Sequence, residues 1–578
     1  MYKKVITSIT HEAKKLNLWD IFAISIIFWI FILIKNTTQY MYSPIPIDLD
    51  QPISLSPELL PEYALRTTIR LAIGIIISVL FSIVYALIAA KNESLRKFMI
   101  SLLDIMQSIP VLGYIALTIT GFISLFPDRL LGFELAVIFA AFTCQVWNIT
   151  YSIYQSITTI PENIQEIHKA FNLNSLQKFL VIELPYAMPP LVWNIMISIS
   201  NSWFFVVASE ALIEGNHAYY LPGIGSYIAV AIHNKSLISI LYAVITMVFV
   251  IVLCDRFVFR PLLEWSNKFK YENCNASTMP SWSYKVFNKS RLIKLINYPF
   301  KLAYSYLMSL NVFNASSKAP SKPEEINYRN RLLSKIILGI LIATVSSYAF
   351  YVIIEYLHKD ITIEDIQHSF YLGLITTIRI IAVMLITVVI WLPISIYIGL
   401  NATLTKIIQP FALIMASFPA NLIFPFVVFV IQKYSLNPDV WLSILFILSI
   451  QWYLVFNILA GISSIPEDLR EVARIFDIKG YALFKKILIP AILPHFLVGL
   501  ITAWGSAWNT TIIAEIAEWG DVSMEAVGIG AYVTSASNYG DMSKIILGIL
   551  VMLFYIELFN RFFWRPLFRY ADNMSKLK

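Results

Sequence analysis

Charged residues are scarce in this sequence. Only 14% of the 578 residues are Asp, Glu, Lys or Arg, whereas 58% are hydrophobic. A soluble globular domain carries about 25% charged residues, and the mean hydropathy of +0.70 departs from that class in the same direction. With 19 glycines the chain also lacks a collagen-like composition. The composition therefore argues against a soluble protein and predicts an integral membrane protein.

Cysteine and histidine are also rare. The sequence has 3 cysteines and 7 histidines, too few cysteines for a disulfide framework and without the spacing of a zinc or redox site. Cys144 and Cys254 lie in apolar runs, where we expect small buried hydrophobic side chains. His168, His217 and His233 have no partner spacing for a metal. We therefore predict no metal site.

Several catalytic motifs are missing. The sequence contains no G-x-x-x-x-G-K-[ST] loop, so the chain is not expected to bind ATP or its Mg²⁺ itself. It also contains no H-E-x-x-H or G-x-S-x-G motif. The prediction is a chain that is not an enzyme, with no catalytic residues and no cofactor of its own.

Long apolar runs are what the sequence has in abundance. Runs near the ~20 residues that an α-helix needs to cross a bilayer give an all-α fold with about 12 transmembrane helices. The predicted spans are residues 18–35, 66–90, 98–126, 134–156, 185–213, 236–259, 334–354, 370–400, 407–432, 438–460, 490–515 and 543–563.

The distribution of charge predicts the topology. The segment from Arg260 to Lys335 contains thirteen Lys or Arg but only four Glu and no Asp, an excess above the +7 of the whole chain. By the positive-inside rule this marks a cytoplasmic loop, so we expect membrane lipids and no nucleic acid as partners. Four lysines before the first span, and basic residues at the end of the chain, place both termini in the cytoplasm.

The first apolar run has two interpretations. A basic start followed by the apolar residues 21–34 is similar to a secretory signal peptide. No small-x-small cleavage site follows, and an uncleaved helix preserves an even number of spans in this half. We therefore expect a retained membrane anchor, with the cleaved signal as the alternative.

The two halves of the chain repeat each other. Thr67-Thr68-Ile69-Arg70 matches Thr376-Thr377-Ile378-Arg379 at an offset of 309, and later matches share an offset of 305. These later matches pair Trp147 with Trp452, Trp203 with Trp508, Glu210 with Glu515, and Gly223-Ile224-Gly225 with Gly528-Ile529-Gly530. With six spans each, the copies have the same orientation, so a substrate path is expected between them. The predicted divisions are 1–263, a basic cytoplasmic linker at 264–331, and 332–578.

A polar segment between the fourth and fifth spans of each half has helical periodicity. In the first copy Pro161 suits a first helical turn, and Ile164, Ile167 and Phe171 form one apolar face. The second copy repeats this after Pro466, and Asn172 or Asp477 then suits a left-handed helix stop. Periodicity alone leaves open whether these helices lie in the lipid interface, pack under their own bundle or bind a cytoplasmic partner.

The spacing from Glu166 to Pro185, repeated from Glu471 to Pro490, resembles the EAA loop of permeases of bacterial type I ABC importers. In that family the loop docks in a groove of the ATPase subunit. The resemblance therefore assigns ATPase coupling to Glu166, Ile167, Ala170, Phe171, Asn172 and Pro185, and to Glu471, Val472, Ala473, Phe476, Asp477 and Pro490. The sequence departs from the family where Asn172 and Asp477 replace a glycine, and where Ile167-His168 and Val472-Ala473 replace Ala-Ala.

The segments WFFVVASE (Trp203 to Glu210) and WNTTIIAE (Trp508 to Glu515) are similar to the nitrate, sulfonate and bicarbonate branch of that family. The resemblance implies import of a small anion into the cytoplasm across the bacterial inner membrane. It also implies two ATPase subunits, which bind ATP and Mg²⁺, and a periplasmic or lipid-anchored solute-binding protein. Fused permeases for ferric iron or thiamine, and a 12-helix secondary transporter, are the alternatives.

Ionisable residues within spans are candidates for the transport pathway. Arg70 and Arg379 lie at a depth similar to that of Glu210 and Glu515, which suggests an ion pair in each half. Alternatively, the two arginines face a central path and attract an anion. Trp203 and Trp508 are interpreted as packing or interface residues in preference to gates, and the Gly-Ile-Gly segments as places of close backbone approach.

Overall fold

A computed structural model describes residues 53–127, 129–171, 173–214, 217–269, 361–463 and 488–567, together with isolated positions among 339–355, 465–483 and 569. The predicted first span and the linker beyond residue 269 lie outside these ranges. Only isolated positions of the predicted span 334–354 lie inside them. The boundaries of the linker therefore stay a prediction.

The first half is a series of helices interrupted by one β-hairpin. After a 3₁₀ turn at Pro57–Leu59 come α1 (Leu60–Lys91), α2 (Glu93–Ser108), α3 (Val111–Leu125), α4 (Leu131–Thr158), α5 (Glu162–Ala170) and α6 (Ser175–Lys178). A π-helical segment, Phe179–Glu183, leads into α7 (Leu184–Glu210). The antiparallel strands β1 (Ala211–Glu214) and β2 (His217–Tyr220) precede α8 (Ile224–His233), α9 (Leu237–Cys254), a π segment (Asp255–Phe259) and α10 (Arg260–Ser266).

The second half repeats this order. It contains α11 (Ile363–Leu400), α12 (Ala402–Ser417), α13 (Phe424–Lys433), α14 (Pro438–Trp441), α15 (Ser443–Ser463), α16 (Gly480–Leu483) and α17 (Ile489–Ala514). The antiparallel strands β3 (Ile516–Trp519) and β4 (Val522–Glu525) follow, then α18 (Ile529–Asn538), α19 (Met542–Phe559) and a π segment (Asn560–Trp564). We call the end of the bundle with the two hairpins the hairpin end, and the opposite end, which carries α5, the α5 end.

Two predicted spans, 98–126 and 407–432, are each divided into two helices by a break. In each, the helix stops before a proline of the repeated Ser-x-Pro motif, Pro110 or Pro419, both of which have extended ψ angles. Proline lacks an N–H and disfavours helical geometry in the residue before it. In the second half the two parts are bent by 79°. The sequence pattern showed apolar length but underestimated these breaks.

Eight described helices have the length and apolarity to cross a membrane, and the bent pair would make a ninth. Their outward faces are apolar: on α1, Ile76, Leu80 and Val84 are 59%, 62% and 58% exposed. Their spacing of four residues places them on one side of the helix. Such a face is stable against lipid, because the helix satisfies its own backbone hydrogen bonds there. The all-α, duplicated membrane fold is confirmed.

The broken helices hold the two halves together. Phe418 and Leu422, at the break in the second half, are buried in the core of the first half. Reciprocally, Asn509 of α17 accepts a hydrogen bond at 2.7 Å from the backbone N–H of Val111, the first residue of α3. Each half therefore inserts its proline break into the other.

The Gly-Ile-Gly segments allow α8 and α18 to approach the preceding long helices closely. A Cβ added to Gly225 would lie 1.9 Å from the carbonyl oxygen of Val207, and one on Gly530 would lie 2.4 Å from that of Thr511. Gly223 has a φ of −179°, an ordinary extended value. Glycine is therefore required here because a Cβ would clash with a backbone oxygen, and not because φ is positive.

We predict that Gly225→Ala destabilises the protein by about 1–3 kcal/mol or more, because a backbone oxygen cannot move aside as a side chain can. Thermal unfolding of the purified protein measures this. Gly121→Ala is the matched control, since a Cβ there meets nothing within 4 Å, and it should unfold at or slightly above the wild-type temperature. Equal unfolding temperatures for the two variants would contradict the steric argument.

Candidate functional site

A buried arginine joins three elements in the first half. Arg70 of α1 donates from Nε and Nη2 to the two carboxylate oxygens of Glu134 on α4, both at 2.6 Å. Its Nη1 donates to Glu210 at the end of α7, at 2.7 Å, and to the carbonyl of Pro222 at 3.0 Å. The side chains of Arg70 and both glutamates are no more than 1% exposed. A bidentate guanidinium–carboxylate pair of this kind is strong and directional.

The second half contains a weaker version of the same junction. Arg379 Nη1 donates to Glu515 at 2.5 Å and Nη2 to the carbonyl of Val527 at 3.0 Å. Asp439 takes the place of Glu134 at the offset of 305, but it lies 3.7 Å from Arg379 and is 48% exposed. The first junction is therefore enclosed, whereas the second is open to solvent on one side.

Each junction also fixes the start of the helix after the hairpin. The second oxygen of Glu210 accepts from the N–H of Gly225 at 2.7 Å, and Thr67 Oγ1 accepts from the N–H of Ile224 at 3.1 Å. Glu515 accepts from the N–H of Gly530 at 2.7 Å in the same way. A carboxylate at a helix N-terminus satisfies orphan N–H groups and complements the helix dipole. The repeated Thr-Thr-Ile-Arg and Gly-Ile-Gly segments thus meet at one place.

These contacts decide between the alternatives for the arginines. Ion pairing within each half is what the structure shows. Neither Arg70 nor Arg379 is among the residues lining the two central cavities described below, so their geometry does not support attraction of an anion along the path. Trp203 and Trp508 are 1% and 0% exposed and belong to the two hydrophobic cores. They pack inside the bundle, and neither is among the described residues that line the two cavities.

A polar cavity of about 150 Å³ lies between the halves. The two halves supply corresponding residues: Trp147 and Trp452 both line the cavity, as do Asn148 and Tyr453. Its polar lining consists of amides, hydroxyls and ring N–H groups, and none of its described lining residues is charged. We call this space the polar cavity. Its position fits the path that the repeat predicts.

A second, more apolar space of about 400 Å³ lies towards the hairpin end. Residues next to those of the polar cavity, such as Leu112 and Asn421, line it, together with Ile228, Val428 and Ile512. The two spaces therefore follow one another along the interface of the halves. We call the second one the apolar cavity.

A contact between the halves closes part of the apolar cavity. The N–H of Gly520, in the turn between β3 and β4, donates to the carbonyl of Ile232 at 3.1 Å. Beside it, Lys235 Nζ lies 3.2 Å from Asp521, and its hydrogen bond and positive charge lower the pKa of that carboxyl. Both side chains are largely exposed, so this ion pair adds little stability.

The polar loop at the α5 end forms the predicted helix in the first half. Helix α5 begins at Glu162, directly after Pro161, and Phe171 at its end is 75% exposed. In the second half Glu471 and Ile475 are helical, and Asp477 has a φ of 48°. That is the left-handed conformation predicted for a helix stop. Asn172, Val472 and Ala473 lie outside the described residues, as do the side chains of the helical residues Ile167, His168 and Lys169.

Large apolar side chains are exposed at both copies of this loop. Ile475 and Phe476 are 74% and 72% exposed, matching Phe171 in the first copy. Pro185 and Pro490 both lie in the first turn of the long helix that follows. Glu166 and Glu471 are exposed. The geometry offers two similar apolar surfaces at the α5 end.

One buried carboxylate anchors the first copy. Glu183, 3% exposed, lies 3.2 Å from Lys91 at the end of α1 and 3.7 Å from Lys178 in α6. At the offset of 305 the second half has Leu488, which packs in a hydrophobic cluster. The segment after α5 is thus held to α1 by charge, whereas its counterpart is held by apolar packing.

Comparison with known proteins agrees with this duplicated arrangement. The family described as "Binding-protein-dependent transport system inner membrane component" matches residues 67–259 and 391–563, together more than half of the chain. The chain belongs to this family. The family is one of inner-membrane transport components, so the multi-pass membrane location follows, and the resemblance to permeases of ABC importers is confirmed.

Individual relatives fall in one branch of permeases. A nitrate import permease protein of Leptolyngbya laminosa is 35% identical over 107 residues, 18% of this chain and 36% of the relative. A bicarbonate transport system permease protein of Synechococcus elongatus is 28% identical over 165 residues, 28% and 56% of the two chains. A putative aliphatic sulfonates transport permease protein of Bacillus subtilis is 30% identical over 95 residues, 16% and 32%. The chain thus spans between about a third and just over half of these relatives.

Several site residues were not identified from the sequence pattern. Glu134 had a signal, because it is an acidic residue near the start of a predicted span and meets Asp439 at the repeat offset. Asn201 and Tyr453, which both line the polar cavity, carried no such signal, because a polar residue within a span does not by itself reveal its partner. Glu183 was hidden for the same reason, because its partners come from other elements.

We predict that Arg70→Gln destabilises the protein by about 3–5 kcal/mol, because it leaves Glu134 and Glu210 buried without their cation. Arg379→Gln should cost less, since Asp439 is half exposed. Thermal unfolding of the two purified variants measures the difference. Adding Glu134→Gln and Glu210→Gln to Arg70→Gln should recover much of the loss. An Arg379→Gln variant less stable than Arg70→Gln would contradict this ranking.

Proposed function

We propose that this chain is the translocation subunit of an ATP-driven importer that moves a small anion from the periplasm into the cytoplasm. One polypeptide supplies both permease halves, and the solute passes between them by alternating access. Membership of the inner-membrane transport family supports the class, and the nitrate, bicarbonate and sulfonate permeases among the relatives support an anion. Because Arg70 and Arg379 are ion-paired, they give no support to an anionic solute.

Coupling to ATPase subunits is supported by equivalent apolar residues that are exposed at the two loops. Phe171 and Phe476 stand 75% and 72% exposed at the α5 end. Single exposed apolar residues are common, but here the repeat places equivalent ones beside each exposed glutamate. We propose that each loop docks on one of two ATPase subunits, which bind ATP and Mg²⁺. The chain itself is then a transport subunit and not an enzyme.

The same proposal orients the protein. The α5 end faces the cytoplasm, the side to which the charge pattern of the sequence assigns the basic linker and both termini. The hairpin end faces the periplasm, where a soluble or lipid-anchored binding protein delivers the solute to the apolar cavity. The contact of Gly520 and Asp521 with the first half then lies on the periplasmic side and separates during delivery.

We predict that Glu166→Lys and Glu471→Lys together lower uptake and transport-linked ATP hydrolysis at least tenfold, because they reverse the charge at both docking surfaces. The measurement uses the complete complex in proteoliposomes. Glu58→Lys, an exposed carboxylate near the hairpin end, is the control and should leave coupling intact. Full ATP-driven uptake by the double variant would refute the docking assignment.

We predict that cysteines introduced by Ala170→Cys and Ile475→Cys each form a crosslink to an ATPase subunit, because both positions are exposed at equivalent loops. Mass spectrometry of the crosslinked complex identifies the sites. Gly121→Cys, on α3 and with open space around its Cα, is the matched negative control. Crosslinking of only one loop in every nucleotide state would mean that the halves are not equivalent in coupling.

A further inference from the structure

The polar cavity contains two asparagine side chains whose amide oxygens each accept a hydrogen bond from another side chain. Asn148 Oδ1 accepts from Gln107 Nε2 at 2.9 Å. Asn201 Oδ1 accepts from Tyr453 Oη, which belongs to the other half of the chain. Among the described residues, neither amide nitrogen, Asn148 Nδ2 or Asn201 Nδ2, donates to an acceptor. Each carboxamide therefore has both N–H donors available, while one of the two lone pairs of its oxygen is engaged.

This arrangement selects for a particular ligand chemistry. A ligand that offers only acceptor oxygens satisfies the amide donors, whereas a cation would compete with Gln107 and Tyr453 for the carboxamide oxygens. None of the described lining residues is charged, so a bound anion meets neither a repelling carboxylate nor a lysine or arginine that would hold it tightly. Neutral donors give binding weak enough for release, which conduction requires.

The size of the cavity limits the ligand further. Its volume of about 150 Å³ is close to that of an engineered cavity that admits one benzene molecule. An oxyanion of a few heavy atoms fits such a space, and a solute with two linked rings, such as thiamine, does not. The tryptophans Trp147 and Trp452 are among the residues that line this space.

We propose that the polar cavity is a transit-binding site for a small oxyanion, which Asn148 and Asn201 recognise through their amide N–H groups. Gln107 and Tyr453 are positioning residues, because they fix which way each amide points. This proposal rests on the proposed import function and adds to it a site within the membrane. Specificity then resides partly in this chain and not only in the binding protein.

The test uses the complete complex in proteoliposomes, with nitrate, bicarbonate and ethanesulfonate as probes, and measures anions taken up per ATP hydrolysed. Asn148→Leu and Asn201→Leu should each lower this ratio about tenfold, the typical effect of losing a hydrogen bond to a charged ligand. Asn194→Leu is the matched control: Asn194 lies on α7, as Asn201 does, donates a hydrogen bond to Ser152 at 3.0 Å and is not among the residues lining the cavity. It should transport as the wild type does.

A shape-preserving variant separates hydrogen bonding from packing. Asn148→Asp keeps the size of the side chain and an acceptor for Gln107 but removes the amide donors and adds a negative charge. It should lose at least as much anion uptake as Asn148→Leu while co-purifying with the ATPase subunits. Retention of wild-type uptake by Asn148→Asp would overturn the site, even if the leucine variant failed.

The outcomes distinguish the site from the function. If the wild-type complex imports one of the anions and the cavity variants do so equally well, the site is wrong and the import function stands. If the wild type imports none of the three but imports thiamine or ferric iron, both proposals fail. A loss confined to the cavity variants, with Asn194→Leu unaffected, supports both.

Discussion

The buried junction of Arg70 with Glu134 and Glu210 is the constraint on which the first half depends. It ties α1, α4, α7 and the start of α8 together at a place with almost no solvent exposure. Burying three charged side chains costs free energy, so all of their hydrogen-bonding groups must have well-placed partners. The excess negative charge of the triad is offset by backbone N–H groups at the helix start. The junction therefore determines where the hairpin leaves the bundle.

This use of charge has a consequence for the path. The charged groups of both junctions are paired within their own halves, and the described lining of the polar cavity consists of neutral polar and apolar side chains. A fixed charge there would either repel the solute or bind it strongly. Separating the structural charges from the path allows a small solute to pass through a weak field of amide and hydroxyl dipoles.

Duplication within one chain has allowed the halves to diverge. The first junction is enclosed by Glu134, whereas the second is completed by the half-exposed Asp439. The first α5-end loop is held by Glu183 and its two lysines, and its counterpart by Leu488. Two separate copies of one subunit would have to satisfy both positions with identical side chains. In a fused chain each half can lose an interaction that the other retains.

The sequence by itself determined the membrane class, the duplication and the positions of the long helices. It also singled out Arg70, Glu210 and Gly225 as repeated candidate residues. These follow from local apolar length and from matches at a fixed offset, which need no knowledge of distant contacts. Only the tertiary structure decided what the residues do. Whether Arg70 faces a path or Glu134, and whether Asn148 offers a donor or an acceptor, depends on side chains brought together from other helices. No periodicity encodes that choice, because a buried charge is stabilised by its partners and not by its own position.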